Sequence, residues 1–321
     1  MSIKARRGAT LGLWVSLTLV STPGLSEQLP FRSYTTIDGL AHDRIKRIVV
    51  DHDGFVWFCT LEGLSRFDGR RFTTFGPSEG LPQPSVNDVL ETPAGFYAAT
   101  NGGGVGLLDT LRAAPRFRAF PTGEDAASRV NVLALDGEGA VVAGTDGGLF
   151  RLEGETFRPV PMGIPGWADA SVAVWAFLTT PSGLLVGTQR GLVLVSRDGA
   201  PRGVPLGELT GKLVTALAAR DDGTILVGTS RGIVVIDATS LAVRSLLTTA
   251  EGLPGDSITA FHVGSGRVLV GTESGLGVIG KGGTRAYGQG EGVAELRISA
   301  VTEDRDGGIW MGTPVSGAVR L

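Results

Sequence analysis

One phrase recurs seven times along this chain. An apolar strand and a tight glycine turn lead to a second apolar strand ending in Gly-Thr or a close variant, and Gly-Leu or its like follows. The closing threonines are Thr60, Thr100, Thr145, Thr188, Thr229, Thr272 and Thr313, so successive steps are 40, 45, 43, 41, 43 and 41 residues. A period in the low forties with strand-turn-strand content specifies a β-propeller with one four-stranded blade per repeat. Both faces of these strands are apolar, and a lone sheet could not bury both. The repeats must therefore stack as a ring. The expected fold is all-β: a seven-bladed propeller of four-stranded antiparallel blades.

In the first repeat the β-branched run Ile45 to Val50 reads as the innermost strand, Asp51-His52-Asp53-Gly54 as its turn and Phe55 to Thr60 as the second strand. Leu64 to Phe67 is the third strand and Arg71 to Phe75 the fourth, after which Gly80-Leu81 crosses to the next blade. Aligning the repeats places Ile45, Val86, Val130, Val172, Val214, Ile258 and Ile298 at one core position. Three residues later come Ile48, Val89, Leu133, Trp175, Leu217, Phe261 and Val301 at another. The seventh repeat ends at Leu321 after its third strand, whereas residues 31–36 followed by Gly39-Leu40 read as an orphan fourth strand with its exit loop. That strand is expected to complete blade seven (298–321) and cover its open edge, making 27–321 one closed domain.

Residues 1–26 read as a signal peptide. Lys4, Arg6 and Arg7 precede an apolar stretch from Thr10 to Val20, and small residues at Gly24 and Ser26 suit a cleavage site after Ser26. The stretch is shorter than the roughly 20 residues a membrane span needs, so an uncleaved anchor is the weaker alternative. The single cysteine, Cys59, allows no internal disulfide. It occupies the slot that holds Gly144, Gly187, Gly228, Gly271 and Gly312 elsewhere, where two sheets approach closely, and reads as filler rather than as a reactive thiol. A net charge of −3 with acids and bases interspersed excludes a nucleic-acid footprint.

The run from Val49 to Gly69, with Asp51-His52-Asp53-Gly54-Phe55-Val56-Trp57 at its centre, resembles a two-component regulator propeller repeat. The run from Asp304 to Thr313 resembles it too, as does the opening from Phe31 to Ile45. The likeness spans the chain beyond the leader and is loosest in repeats two to six, where the Trp is lost. It implies a periplasmic ligand-sensing domain of a bacterial signalling receptor, taking a small molecule, often a saccharide. The expected signalling partner is a membrane-bound histidine kinase or diguanylate cyclase. The chain is expected to lack a kinase output of its own, and no cofactor is expected.

Asp51-x-Asp53-Gly54 and Asp304-x-Asp306-Gly307 start like calcium loops but lack the later ligands, so they read as turn chemistry. The three histidines, His42, His52 and His262, form no zinc pattern. Gly264-Ser265-Gly266 is a hairpin turn rather than a nucleophile elbow. A lyase on the same propeller, of the streptogramin-lyase kind or glycan-active, is the enzymatic alternative, with His262 and Glu273 converging at the channel mouth; a protein-interaction scaffold is another. The inner strands offer Lys46, Asn87, Asn131, Thr215, Thr259 and Ser299 at that mouth, polar where the fold makes no demand for polarity. The loops from second to third strand offer Glu62, Asn101, Asp146, Arg190, Arg231 and Glu273, and Trp167 is a candidate sugar platform. The expected ligand-binding set is Lys46, Asn87, Asn131, Trp167, Arg190, Arg231 and Glu273. It would suit a polyol or acidic sugar through several hydrogen bonds.

Overall fold

The repeated threonine is a buried clamp on the turn that follows it. All seven side chains are at most 1% exposed. Each hydroxyl donates to the carbonyl of the glycine that opens the third strand, as in Thr60 to Gly63 (2.8 Å), Thr188 to Gly191 (2.9 Å) and Thr272 to Gly275 (2.9 Å). Each also accepts a backbone N–H from inside the turn, for example from Glu62, Arg190 and Ser274. This two-way bond closes the turn without any other side chain, which is why the phrase survives while its surroundings drift.

The computed structural model describes residues 31–109, 115–164, 172–196, 201–264, 266–288 and 297–321. The leader expected at 1–26, together with Trp167 and Ser265, lies outside the described residues. Seven four-stranded antiparallel sheets are formed, six of them from consecutive strands. In the seventh the order is Arg32–Tyr34, Ala318–Arg320, Ile309–Gly312, Ala300–Glu303, so the N-terminal strand supplies the missing outer strand. Its register is Arg32↔Arg320, Ser33↔Val319, Tyr34↔Ala318. Neighbouring inner strands touch all round, blade seven against blade one included, and the ring is closed.

The crossings between blades are built locally. In three of them a single 3-10 turn is capped by an acid three residues after the cap: Thr35 with Asp38, Gly76 with Glu79, and Thr248 with Glu251. A left-handed glycine ends each turn (Gly39, Gly80, Gly252), and the leucine behind it, Leu40, Leu81 or Leu253, is buried.

The Asp-x-Asp-Gly turns carry a tether. Asp51 accepts the backbone N–H groups of Asp53 and Phe55 with one oxygen and the Trp57 indole N–H (2.7 Å) with the other. Asp304 treats Asp306, Gly308 and Trp310 in the same way. In blade three Val142 stands at the Trp position, and Arg151 from the next strand takes the vacant carboxylate oxygen of Asp136 instead (2.6 Å). In blade seven the Arg at that position, Arg320, bonds the same oxygen of Asp304 alongside Trp310 (2.8 Å).

Between blades, small residues face β-branched ones. An added Cβ on Gly144 would lie 2.5 Å from Val174 Cγ1, on Gly187 2.7 Å from Val214 Cγ1, and on Gly312 2.6 Å from Ile45 Cγ2. Cys59 fills the equivalent place in blade one, wholly buried beside Val86, and burial pushes its thiol well above the ordinary range. Such a thiol is inert packing.

One expected alignment is wrong. The core position assigned to Val172 belongs to Val174, which pairs with Thr188. The one assigned to Trp175 belongs to Phe177, which pairs with Val186. Trp175 is displaced from the core and is 43% exposed.

A buried charge spans three blades. Asp88 accepts the backbone N–H groups of Val89 (3.0 Å) and, from blade three, Leu133 (2.9 Å), and Arg47 of blade one lies 3.5 Å away. Burial holds its carboxyl above the ordinary aspartate range, the Arg47 charge and the two N–H bonds opposing only in part. The folded state thus binds this proton more tightly than the unfolded chain. The group's contribution to stability falls as pH rises from the ordinary aspartate value through the raised one. Urea melts of Asp88→Asn between about pH 4 and pH 7 should show a smaller loss of stability with rising pH than the parent. An unchanged slope would assign the dependence to other groups.

Candidate functional site: the upper channel mouth

Six of the seven inner strands enter their blade through a bulge. Pairing with the second strand skips one residue, between Ile45 and Arg47 in blade one, Val86 and Asp88 in two, Val130 and Val132 in three, and Val174 and Ala176 in four. Blades five and six do the same between Val214 and Ala216 and between Ile258 and Ala260. A bulge re-aims the side chain of the extra residue. Those residues are Lys46, Asn87, Asn131, Trp175, Thr215 and Thr259, with Ser299 at the corresponding point of blade seven.

These side chains form a hoop. Asn87 Nδ2 donates to Val130 O (2.6 Å), Asn131 Nδ2 to Val174 O (3.2 Å) and Thr215 Oγ1 to Ile258 O (2.6 Å). Thr259 Oγ1 donates to Ile298 O, and Ser299 Oγ to Ile45 O (2.6 Å). Every one of these bonds joins a blade to its successor. The fold does demand polarity here, contrary to the expectation from sequence, because in five of the seven blades the first carbonyl of the inner strand accepts a bond from the blade before. Lys46 departs from the pattern: its Nζ donates to Asn87 Oδ1 and Ser85 Oγ. Trp175 departs further, with an indole where the other blades place an amide, hydroxyl or amine.

The two exceptions border one cavity of about 440 Å³. Its lining includes Arg44, Lys46, Trp175, Thr215, Ser230, Ser257, Thr259, Glu273, Arg297 and Ser299. Of the residues singled out from sequence, Lys46 and Glu273 line it, and Asn87 reaches it as a hydrogen-bond partner of Lys46. Asn131 is committed to Val174 O and to Asp146 Oδ1 (2.9 Å), and Asp146 is in turn paired with Arg129. Arg190 and Arg231 are exposed and outside the lining. The reason is a one-residue offset. In the second-to-third loops the residue immediately after the threonine, such as Ser230, Glu273 or Pro314, faces the cavity, and Arg190 and Arg231 stand one place further on.

The electrostatics of the cavity lean positive. Burial, assisted by the charge on Arg44, lowers the Lys46 pKa from the ordinary lysine value. Glu273 is paired with Arg297 at 3.3 Å. Ser230 and Ser257 present hydroxyls with no side-chain partner among the described residues.

His262 does not converge with Glu273. It pairs with Leu269, whereas Thr272, the neighbour of Glu273, pairs with Ile258 four residues back along the same strand, about 13 Å at strand rise. His262 lines a separate cavity of about 360 Å³ with Arg47, Phe261, Thr302 and Glu303. Its Nδ1 lies 3.3 Å from Thr302 Oγ1, and burial lowers its pKa, so it is neutral at neutral pH.

Trp175 is the residue that reading the sequence missed, and a signal for it was present. Counting back from the threonine, the first inner-strand residue lies 14 or 15 places earlier in every repeat: Ile45 from Thr60, Val86 from Thr100, Val130 from Thr145. The same count from Thr188 reaches Val174 and puts Trp175 at the bulge.

Against known proteins, residues 292–314 match the family model described as "Two component regulator propeller". No curated protein matches the chain. Among solved structures, one described as the extracellular domain of a hybrid two component system of B. thetaiotaomicron superposes with a TM-score of 0.74 at 19% identity, covering 90% of this chain and 41% of that one. A second extracellular domain from the same organism, described as that of a one component system, gives 0.72 at 19%, covering 91% and 40%. A streptogramin B lyase gives 0.71 at 14% identity and covers 90% of this chain and 96% of its own. The chain thus spans about two fifths of the two extracellular domains it matches. Among the described residues no helix is long and apolar enough to cross a membrane.

Proposed function

We infer that this protein, whose residues 292–314 match the two component regulator propeller model, is an exported sensor module. It binds a small molecule over the upper channel mouth and performs no chemistry on it. The carrying observation is the cavity itself. Its volume of about 440 Å³ lies within the range of small-molecule sites, and an exposed Trp175, at the one gap in the hydrogen-bonded hoop, faces polar groups that the hoop holds in place. A rigid ring that presents an aromatic face and convergent hydroxyls suits a saccharide. The leader at 1–26 would deliver the module to the periplasm. A membrane-bound histidine kinase or diguanylate cyclase would carry the output; in support, the fold is shared with extracellular domains described as parts of two component and one component systems. The lyase reading loses its support once His262 opens on the lower cavity and Glu273 on the upper one.

A thermal-shift panel of mono- and disaccharides, neutral and charged, tests the reading. A ligand of the folded state raises Tm by mass action. At least one compound should do so, Ser230→Trp, which fills the cavity, should abolish the shift, and mass spectrometry should recover the compound unaltered. A panel without a shift, shifts that survive Ser230→Trp, or a converted compound would each overturn it.

A further inference from the structure

The charges that line the cavity do not balance. Arg44, Lys46 and Arg297 face it, against Glu273 alone, and Glu273 is already paired with Arg297 at 3.3 Å. Lys46 rests on the neutral oxygens of Ser85 and Asn87, and Arg44 is exposed with no ion pair among the described residues. A half-buried ammonium beside a free guanidinium, in a concave mouth, concentrates anions. Around this pair stand the hydroxyls of Thr215, Ser230, Ser257, Thr259 and Ser299. Three of them already donate to strand carbonyls, which leaves their lone pairs to accept from a ligand hydroxyl. Trp175 supplies an aromatic face, with Leu213 and Pro314 also in the lining.

Resting on the reading of this cavity as a ligand site, we propose that its ligand is a cyclic polyhydroxylated carboxylate, a sugar acid. The carboxylate is directed at Lys46 and Arg44, the ring hydroxyls at the Ser and Thr rim, and the ring face at Trp175. Each cation forms a charge-assisted bond that a neutral sugar cannot replace. The ammonium of Lys46, disfavoured by burial, regains a counter-ion when the site fills.

Calorimetric titration of the full chain with galacturonate, methyl galactopyranoside and inorganic phosphate at low and raised salt tests this. Galacturonate should bind at least about tenfold more tightly than the neutral glycoside, and salt should weaken it. Lys46→Met and Arg44→Gln should each weaken galacturonate by about tenfold, a markedly larger loss than either causes for the glycoside. Arg44→Gln is the decisive variant, because it alters an exposed side chain outside the hoop. Trp175→Ala should weaken both sugars. Absence of galacturonate binding, equal affinity for the glycoside, or indifference to both cation variants would overturn the proposal. Phosphate binding as tightly as galacturonate would overturn the role given to the hydroxyls and Trp175. If neutral saccharides bind through the cavity and galacturonate does not, the sensor reading stands and only the sugar-acid assignment falls. If nothing binds, both fall.

Discussion

Tyr34→Ala is expected to lower the free energy of unfolding by about 3–5 kcal/mol, the range for removing a large buried aromatic side chain. Tyr34 is 4% exposed, although it belongs to a strand of only three residues at the start of the described chain. Its ring lies 5.0 Å from Trp310 in its own blade and 5.2 Å and 6.0 Å from Phe67 and Phe72 in blade one. Truncation therefore empties the junction where the circle is fastened and weakens both sides of it. Loosening the strand would also bare the edge of Ala318–Arg320, a template for pairing with other chains. Urea denaturation should register the loss and gel filtration should show oligomers in the variant alone. Tyr34→Phe, which keeps the ring, should stay within about 1 kcal/mol of the parent. A cost below 1 kcal/mol for Tyr34→Ala would mean that the strand decorates the ring without closing it.

Gly144→Leu should cost about 3 kcal/mol, the upper part of the range for overpacking. The first added carbon alone would sit 2.5 Å from Val174 Cγ1 and 2.8 Å from Val132 Cγ1, one in the next blade and one in its own. Both neighbours are β-branched strand residues with little freedom to turn away. Blade three would have to move off blade four, straining the Asn131 to Val174 bond in the hoop. Cys59→Ala probes the corresponding slot in the other direction. A small thiol is exchanged for a smaller methyl among Val86 and its neighbours, and the cost should stay near 1 kcal/mol. If the two substitutions cost the same in chemical denaturation, the slot does not set blade spacing.

Much of the fold could be read directly because the determining contacts are local. The Thr-to-Gly clamp, the Asp-Gly turn and the capped crossing each lie within a few residues, so each repeat carries its own instructions. The closing strand was also readable, since a strand without a partner at one end matches a gap at the other. The candidate site was less legible. Lys46 and Glu273 were found because the channel mouth follows from the repeat. Arg190 and Arg231 were drawn in by a loop register one place out, and Trp175 was assigned to the core because its repeat has a longer approach to the inner strand. A bulge leaves only a faint trace in an apolar pattern, because it inserts a single residue where strands begin.

The sequence by itself determined the number of blades, the order of strands within each and the way the ring closes. These follow from period, from turn chemistry and from the need to cover two apolar faces, all written along the chain. The tertiary structure alone decided which polar residues at the mouth are bound and which are available. Asn87, Asn131, Thr215, Thr259 and Ser299 donate to carbonyls on the neighbouring blade, some forty residues away or across the chain ends. Those bonds exist only once seven sheets stand around an axis. That same assembly sets Arg44 and Lys46 opposite Trp175 across one opening.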